Sequence, residues 1–134
     1  KIVRHLEQDP ELLFKNIAKT LALFSGETVI WGLGDDEVHY TGIANLFGKP
    51  ELQEKKEIRQ LSTAMDRLDD VMSKMFNDVS EEPTTYLGRE NPFAKECATV
   101  VIKIGDNEVL GILGLTRMDY EKNLGFINYL KEIL

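Results

Sequence analysis

Two side chains in this sequence could act as a nucleophile or a base inside a folded core: His39 and Cys97. His39 stands beside Tyr40, with no serine or cysteine near it in a recognisable nucleophile motif. It reads as a strand histidine that packs or faces solvent. Cys97 precedes a β-branched run and reads as a small buried apolar residue. Gly32-Leu33-Gly34 and Gly111-Ile112-Leu113-Gly114 match neither a dinucleotide nor a Walker pattern, so close backbone packing or a turn explains them. Asp35, Asp36 and Glu37 lack the spacing of a calcium loop and read as an acidic hairpin tip. Asp66, Asp69 and Asp70 read as a solvated helix face. No catalytic, cofactor-binding or metal-binding set is expected, and the chain is not read as an enzyme.

Two strings remain unusual. Tyr86-Leu87-Gly88-Arg89-Glu90-Asn91-Pro92-Phe93 breaks the chain, because Pro92 pushes Asn91 out of helical conformation. Gly111 to Leu115 runs on through Thr116-Arg117-Met118 to Asp119-Tyr120, a strand handing over to a helix. Arg117 is a permanently charged fork, and Glu90 is its expected carboxylate partner in a structural staple. The functional alternative is a ligand carboxylate or phosphate gripped by Arg117.

The elements that position these residues follow from pattern. Asp9-Pro10-Glu11 opens a helix whose apolar positions are Leu13, Ile17, Leu21 and Phe24, stopped by Ser25-Gly26. The residues before Asp9 read as a linker helix. Thr28–Trp31 and Val38–Thr41 read as a hairpin around Gly34-Asp35-Asp36. Ile43–Phe47 is a short apolar piece, and Lys49-Pro50-Glu51 opens the longest helix. There Ile58, Leu61, Met65, Leu68, Met72 and Met75 are spaced 3, 4, 3, 4, 3. That stripe packs on a sheet or, as the alternative, forms a dimer interface. Strands follow at Thr84–Gly88, Ala98–Ile104 and Glu108–Leu115, the last apolar on both faces and therefore central. Asp119 caps a closing helix carrying Leu124, Ile127, Leu130 and Leu134. The expected class is α+β: an antiparallel sheet of about five strands flanked by helices.

The 134 residues suit one domain, and 23 acidic against 16 basic residues leave a net charge of −7. That balance disfavours a nucleic-acid partner for this chain. A single cysteine fits a reducing, cytoplasmic setting. No window reaches the roughly 18 apolar residues of a membrane span. Starting at Lys1, the chain reads as a fragment of a longer protein.

Taken together, three strings resemble the C-terminal domain of the heat-inducible transcription repressor HrcA family: Gly88-Arg89-Glu90-Asn91-Pro92, Glu96-Cys97-Ala98-Thr99-Val100, and Gly111 to Tyr120. Tyr40-Thr41-Gly42-Ile43-Ala44-Asn45-Leu46-Phe47 with Pro50-Glu51 is similar to the family's entry to its long helix. The resemblance implies a GAF-like domain and family-motif positions at Gly88, Glu90, Asn91, Pro92, Thr116, Arg117, Met118, Asp119 and Tyr120. It implies a homodimer that represses chaperone genes and binds operator DNA through a winged-helix domain outside this chain, with the chaperonin as a further partner. A GAF-like small-molecule sensor is the alternative, with Arg117 as its basic anchor. Two departures stand out. Leu115 occupies the family's usual proline position, and only Gly32 to Val38 fills the place of an inserted dimerisation subdomain. The Ile58–Met75 stripe, or another exposed apolar face, would have to replace that subdomain.

Overall fold

The structure, a computed structural model, describes residues 2–34, 37–76 and 78–134. Asp9 caps helix α2 (Pro10–Ser25) by accepting from the Glu11 amide, and Gly26 ends it in the left-handed region at φ 69°. Strands β1 (Thr28–Leu33) and β2 (Val38–Thr41) pair antiparallel, Ile30 opposite Tyr40. The Asp35-Asp36 tip of their hairpin, and with it the acidic-tip reading, lies outside the described residues. Helix α3 (Ile43–Phe47) follows, then a 3-10 turn at Pro50–Leu52, α4 (Lys55–Asp66) and α5 (Leu68–Phe76). Strands β3 (Thr84–Leu87), β4 (Cys97–Gly105) and β5 (Glu108–Leu115) complete the sheet, and α6 (Tyr120–Ile133) closes the chain. A short helix α1 (Ile2–Leu6) precedes α2, where the linker helix was expected. Arg4 ties it down, its Nε donating to the Leu134 carbonyl at 2.7 Å and its Nη2 lying 2.5 Å from Glu108 Oε1.

The five strands run in the order β2-β1-β5-β4-β3, all antiparallel. This is the α+β, GAF-like arrangement expected, with β5 central and buried from Val109 to Leu115. Alternation along the strands divides the core in two. Val29, Trp31, Val100, Ile102, Leu110 and Ile112 face α2 and α6. Ile30, Val101, Val109, Leu113 and Leu115 face α3, α4 and α5. Gly111 lets the strands close up, since a Cβ there would lie 3.1 Å from Ile30 Cγ1 and 3.2 Å from the Val100 carbonyl.

Two expectations are corrected, and the choice left open for the stripe is decided. The long helix is two helices: α4 stops at Arg67, whose φ of −114° and ψ of 35° leave the helical region, and α5 restarts at Leu68. Neither opens at Pro50, which starts only the 3-10 turn, and the 16-residue α2 is longer than both. The stripe is core rather than dimer seam. Leu61, Met65, Leu68, Met72 and Met75 are buried against this chain's own sheet and Ile58 is half-buried, so both pieces turn their apolar row inward. Finally, Phe24 is 68% exposed. The core face of α2 runs through Phe14, Ala18 and Ala22 with Leu13 and Leu21, which turns Phe24 outward.

Candidate functional site

Leu115 pairs with Cys97 and ends β5 as a buried residue. The chain then turns through Thr116 to Met118, and the Met118 amide donates back to the Leu115 carbonyl at 3.0 Å. Asp119 caps α6 by accepting from the Lys122 amide at 3.0 Å. The Tyr120 hydroxyl donates to the Thr116 carbonyl at 2.5 Å, which braces the turn against the first turn of the helix. Arg117 points out of this turn, but not to Glu90. Its guanidinium forks onto the Glu51 carboxylate through Nε and Nη2. That bond holds the Glu51 carboxyl below the usual carboxylate range. Glu90 lies beyond β3 at the far edge of the sheet, whereas Arg117 leaves the central strand. The staple therefore exists with a different partner, and it joins β5–α6 to the 3-10 turn after α3. Arg117 is engaged by Glu51 and lines neither the cleft beside β2 nor the groove between α2 and α6.

Beneath this turn sits a residue the sequence reading passed over. Glu27 follows the Gly26 stop and is buried. Lys49 Nζ lies 3.4 Å from Glu27 Oε1, while Oε2 has no hydrogen-bond partner. Burial pushes the Glu27 carboxyl above its ordinary range, with Lys49 opposing the shift and Lys122 and Arg117 adding a weaker pull. Gly114 makes the room, for a Cβ there would collide with Glu27 Oε2 and Met118 Sδ. A signal was present: Glu27, Val29 and Trp31 alternate onto one face, and the last two are core residues.

Two of the family-like strings converge on Glu27, one at its main-chain carbonyl and one beside its carboxylate. From one side, Asn45 Nδ2 donates to the Glu27 carbonyl at 2.8 Å and to the Ala22 carbonyl at 3.3 Å. Gly42, at φ 78°, passes so close that a Cβ would meet Ala22 Cβ at 2.9 Å. From the other side come Gly114, Arg117 and Met118, while Lys122 Nζ donates to the Ser25 carbonyl at 3.2 Å. The other two strings, Gly88–Pro92 and Glu96–Val100, build a separate knot. Asn91 Nδ2 donates to Thr99 Oγ1 at 2.7 Å and to the Tyr86 carbonyl at 3.1 Å. Its Oδ1 accepts from the Phe93 amide at 2.8 Å and the Ala94 amide at 3.2 Å. Gly88 supplies a φ of 62° at the turn entering this knot, and Pro92 follows Asn91 half-buried. Glu90 forms no ion pair among the described residues.

The remaining candidates are structural. Cys97 is buried in the α4–α5 side core and its thiol is pushed up to about 12 by burial, so it stays a protonated thiol. His39 stacks on Trp31 with ring centroids 5.3 Å apart. Asp66, Asp69 and Asp70 are exposed, with Asp70 3.7 Å from Arg67.

A family profile described as HrcA protein C terminal domain matches residues 1–124. The chain belongs to the HrcA C-terminal domain family. It is 31% identical over 105 residues to the heat-inducible transcription repressor HrcA of Halalkalibacterium halodurans, covering 74% of this chain and 30% of that one. It is 28% identical to the HrcA of Clostridium tetani over 100% of this chain and 38% of that one. The chain thus spans roughly a third of the curated relatives it matches. Among solved structures, the crystal structure of a hypothetical protein aligns with a TM-score of 0.52 and 18% identity over 72% of this chain and 30% of that one, a likeness of fold alone. In this HrcA domain the strings that carry the family likeness act as joints between elements, with Glu27 and Asn91 as their buried polar centres.

Two outcomes test these joints. Asn91→Ala strands the buried Phe93 and Ala94 amides and is expected to lower unfolding free energy by about 2–4 kcal/mol in urea titration, with Asn91→Asp intermediate; an unchanged midpoint would refute the knot. For Glu27, the native carboxyl binds its proton more tightly than the unfolded chain does. Its stabilising contribution is full below the ordinary value of 4.5 and is lost as pH rises through the raised native value. Wild type should therefore lose stability relative to Glu27→Gln across that window, whereas a pH-independent difference would show that Glu27 is not desolvated.

Proposed function

We propose that residues 1–134 form a single regulatory and dimerisation domain of a cytoplasmic repressor of heat-shock chaperone genes. It is a non-enzymatic part that orients a winged-helix DNA reader lying outside this chain. The family match over residues 1–124, with relatives that share the name heat-inducible transcription repressor, carries the reading. The net charge of −7 supports leaving DNA to another part. The family resemblance adds the chaperonin as a second partner.

With the Ile58–Met75 stripe buried, contact between two copies falls to the outer face of α2 and α6. Leu23, Phe24 and Tyr129 are 79%, 68% and 60% exposed there. Phe24 and Tyr129 border a groove of about 470 Å³ floored by Ile17, Leu21, Phe126 and Ile133. An apolar patch of this kind marks a contact surface.

Phe24→Glu with Tyr129→Glu is expected to convert a dimer to a monomer in light scattering while the circular-dichroism spectrum of the folded chain is retained, because both rings are exposed in the single chain. In cells lacking the gene, the doubly substituted full-length protein should fail to lower chaperone transcripts. A wild-type chain that stays monomeric at several hundred micromolar, or a double variant that still dimerises and represses, would refute the proposal.

A further inference from the structure

Strand β2 ends the sheet and, among the described residues, pairs only with β1, which leaves its outer edge without a strand partner. A cleft of about 680 Å³ runs along that edge and reaches round both of its sides, and all four residues Val38 to Thr41 line it. The two walls differ in charge. On one side α2 presents Lys15 and Lys19, with Glu11 one turn earlier; on the other α4 and α5 present Asp66 and Asp69. Side-chain alternation assigns these walls to the two faces of the strand. Trp31 and His39 are register partners, and Trp31 belongs to the core under α2, so this pair faces the lysine wall. Val38 packs on the core under α4 and α5, so Val38 and Tyr40 face the aspartate wall. In the floor, Trp31 is 5% exposed and its Nε1 has no hydrogen-bond partner, nor has His39 Nε2.

We propose that this cleft takes an extended peptide segment of another protein, added as a strand beside β2, with acidic side chains alternating with basic ones. Backbone hydrogen bonds to the open edge would hold such a segment, and its alternate side chains would fall on opposite faces. The acidic set then meets Lys15 and Lys19 while the basic set meets Asp66 and Asp69. A second copy of this chain does not suit the cleft. Antiparallel pairing of β2 with its own copy about a two-fold axis keeps each face continuous. Lysines would meet lysines and aspartates would meet aspartates, which is repulsive. The inference stands on the cleft alone and is independent of the repressor reading.

The test is a titration of the ¹⁵N-labelled 134-residue chain with an acetylated, amidated octapeptide of alternating glutamate and lysine. One control has the same composition in two blocks of four, and a second has every backbone nitrogen methylated. The expected result is amide shifts centred on Val38–Thr41 with slowed exchange there, and loss of binding with both controls. Lys15→Glu with Lys19→Glu should weaken binding about tenfold, as should Asp66→Lys with Asp69→Lys, each reversing exposed charges that the fold does not use. The proposal is overturned if the alternating peptide fails to bind at millimolar concentration or the methylated peptide binds as well. Shifts confined to another face, or β2 protected by self-association without peptide, would overturn it too.

Discussion

A buried carboxylate, with one oxygen that has no hydrogen-bond partner among the described residues, lies under Gly114 where α2 hands over to β1 beside the end of β5, and the arrangement around it follows from that fact. Glu27 carries it. A buried carboxylate is costly unless charge and donors surround it. Lys49 approaches from the segment after α3, while Arg117 and Lys122 approach from the segment after β5. Gly114 must stay without a side chain for the carboxylate to fit. Asn45 then closes the backbone side of the same residue. Two chain segments far apart in sequence are held to one junction, and they are the segments that carry much of the family likeness.

Much of the architecture was legible from residue types. The Asp9 cap, the Gly26 stop, the β-branched strands and the doubly apolar β5 each have a local physical cause, so local reading found them. The rest depended on tertiary choices. Nothing local says that Arg67 interrupts a row of apolar residues at perfect helical spacing, since both halves of the row pack on the same core. Phe24 fitted the spacing of α2 but lay at the wrong edge of its buried face. Arg117 was recognised as one half of an ion pair, and Glu90 was chosen because both lie in family-like strings. The sheet order places Glu51 beside Arg117 and Glu90 two strands away. Glu27 escaped because a single acidic residue after a helix stop looks like a turn residue until its alternation with Val29 and Trp31 is followed.

The same geometry separates the surfaces by character. The two apolar cores take in Cys97, the methionines of α4 and α5, and Trp31, on which His39 stacks. What stays exposed is an apolar face on α2 and α6 at one side and a charged, open strand edge at another. With seven excess negative charges, the chain is poorly suited to a phosphate backbone.

In the proposed repressor this domain governs DNA binding without touching DNA. The most direct measurement is fluorescence anisotropy on promoter DNA upstream of the source organism's chaperone genes, comparing the full-length gene product with residues 1–134. The account predicts tight, salt-sensitive binding by the full-length protein and none by the 134-residue chain. Binding by the isolated chain, or absence of binding by the full-length protein, would contradict it.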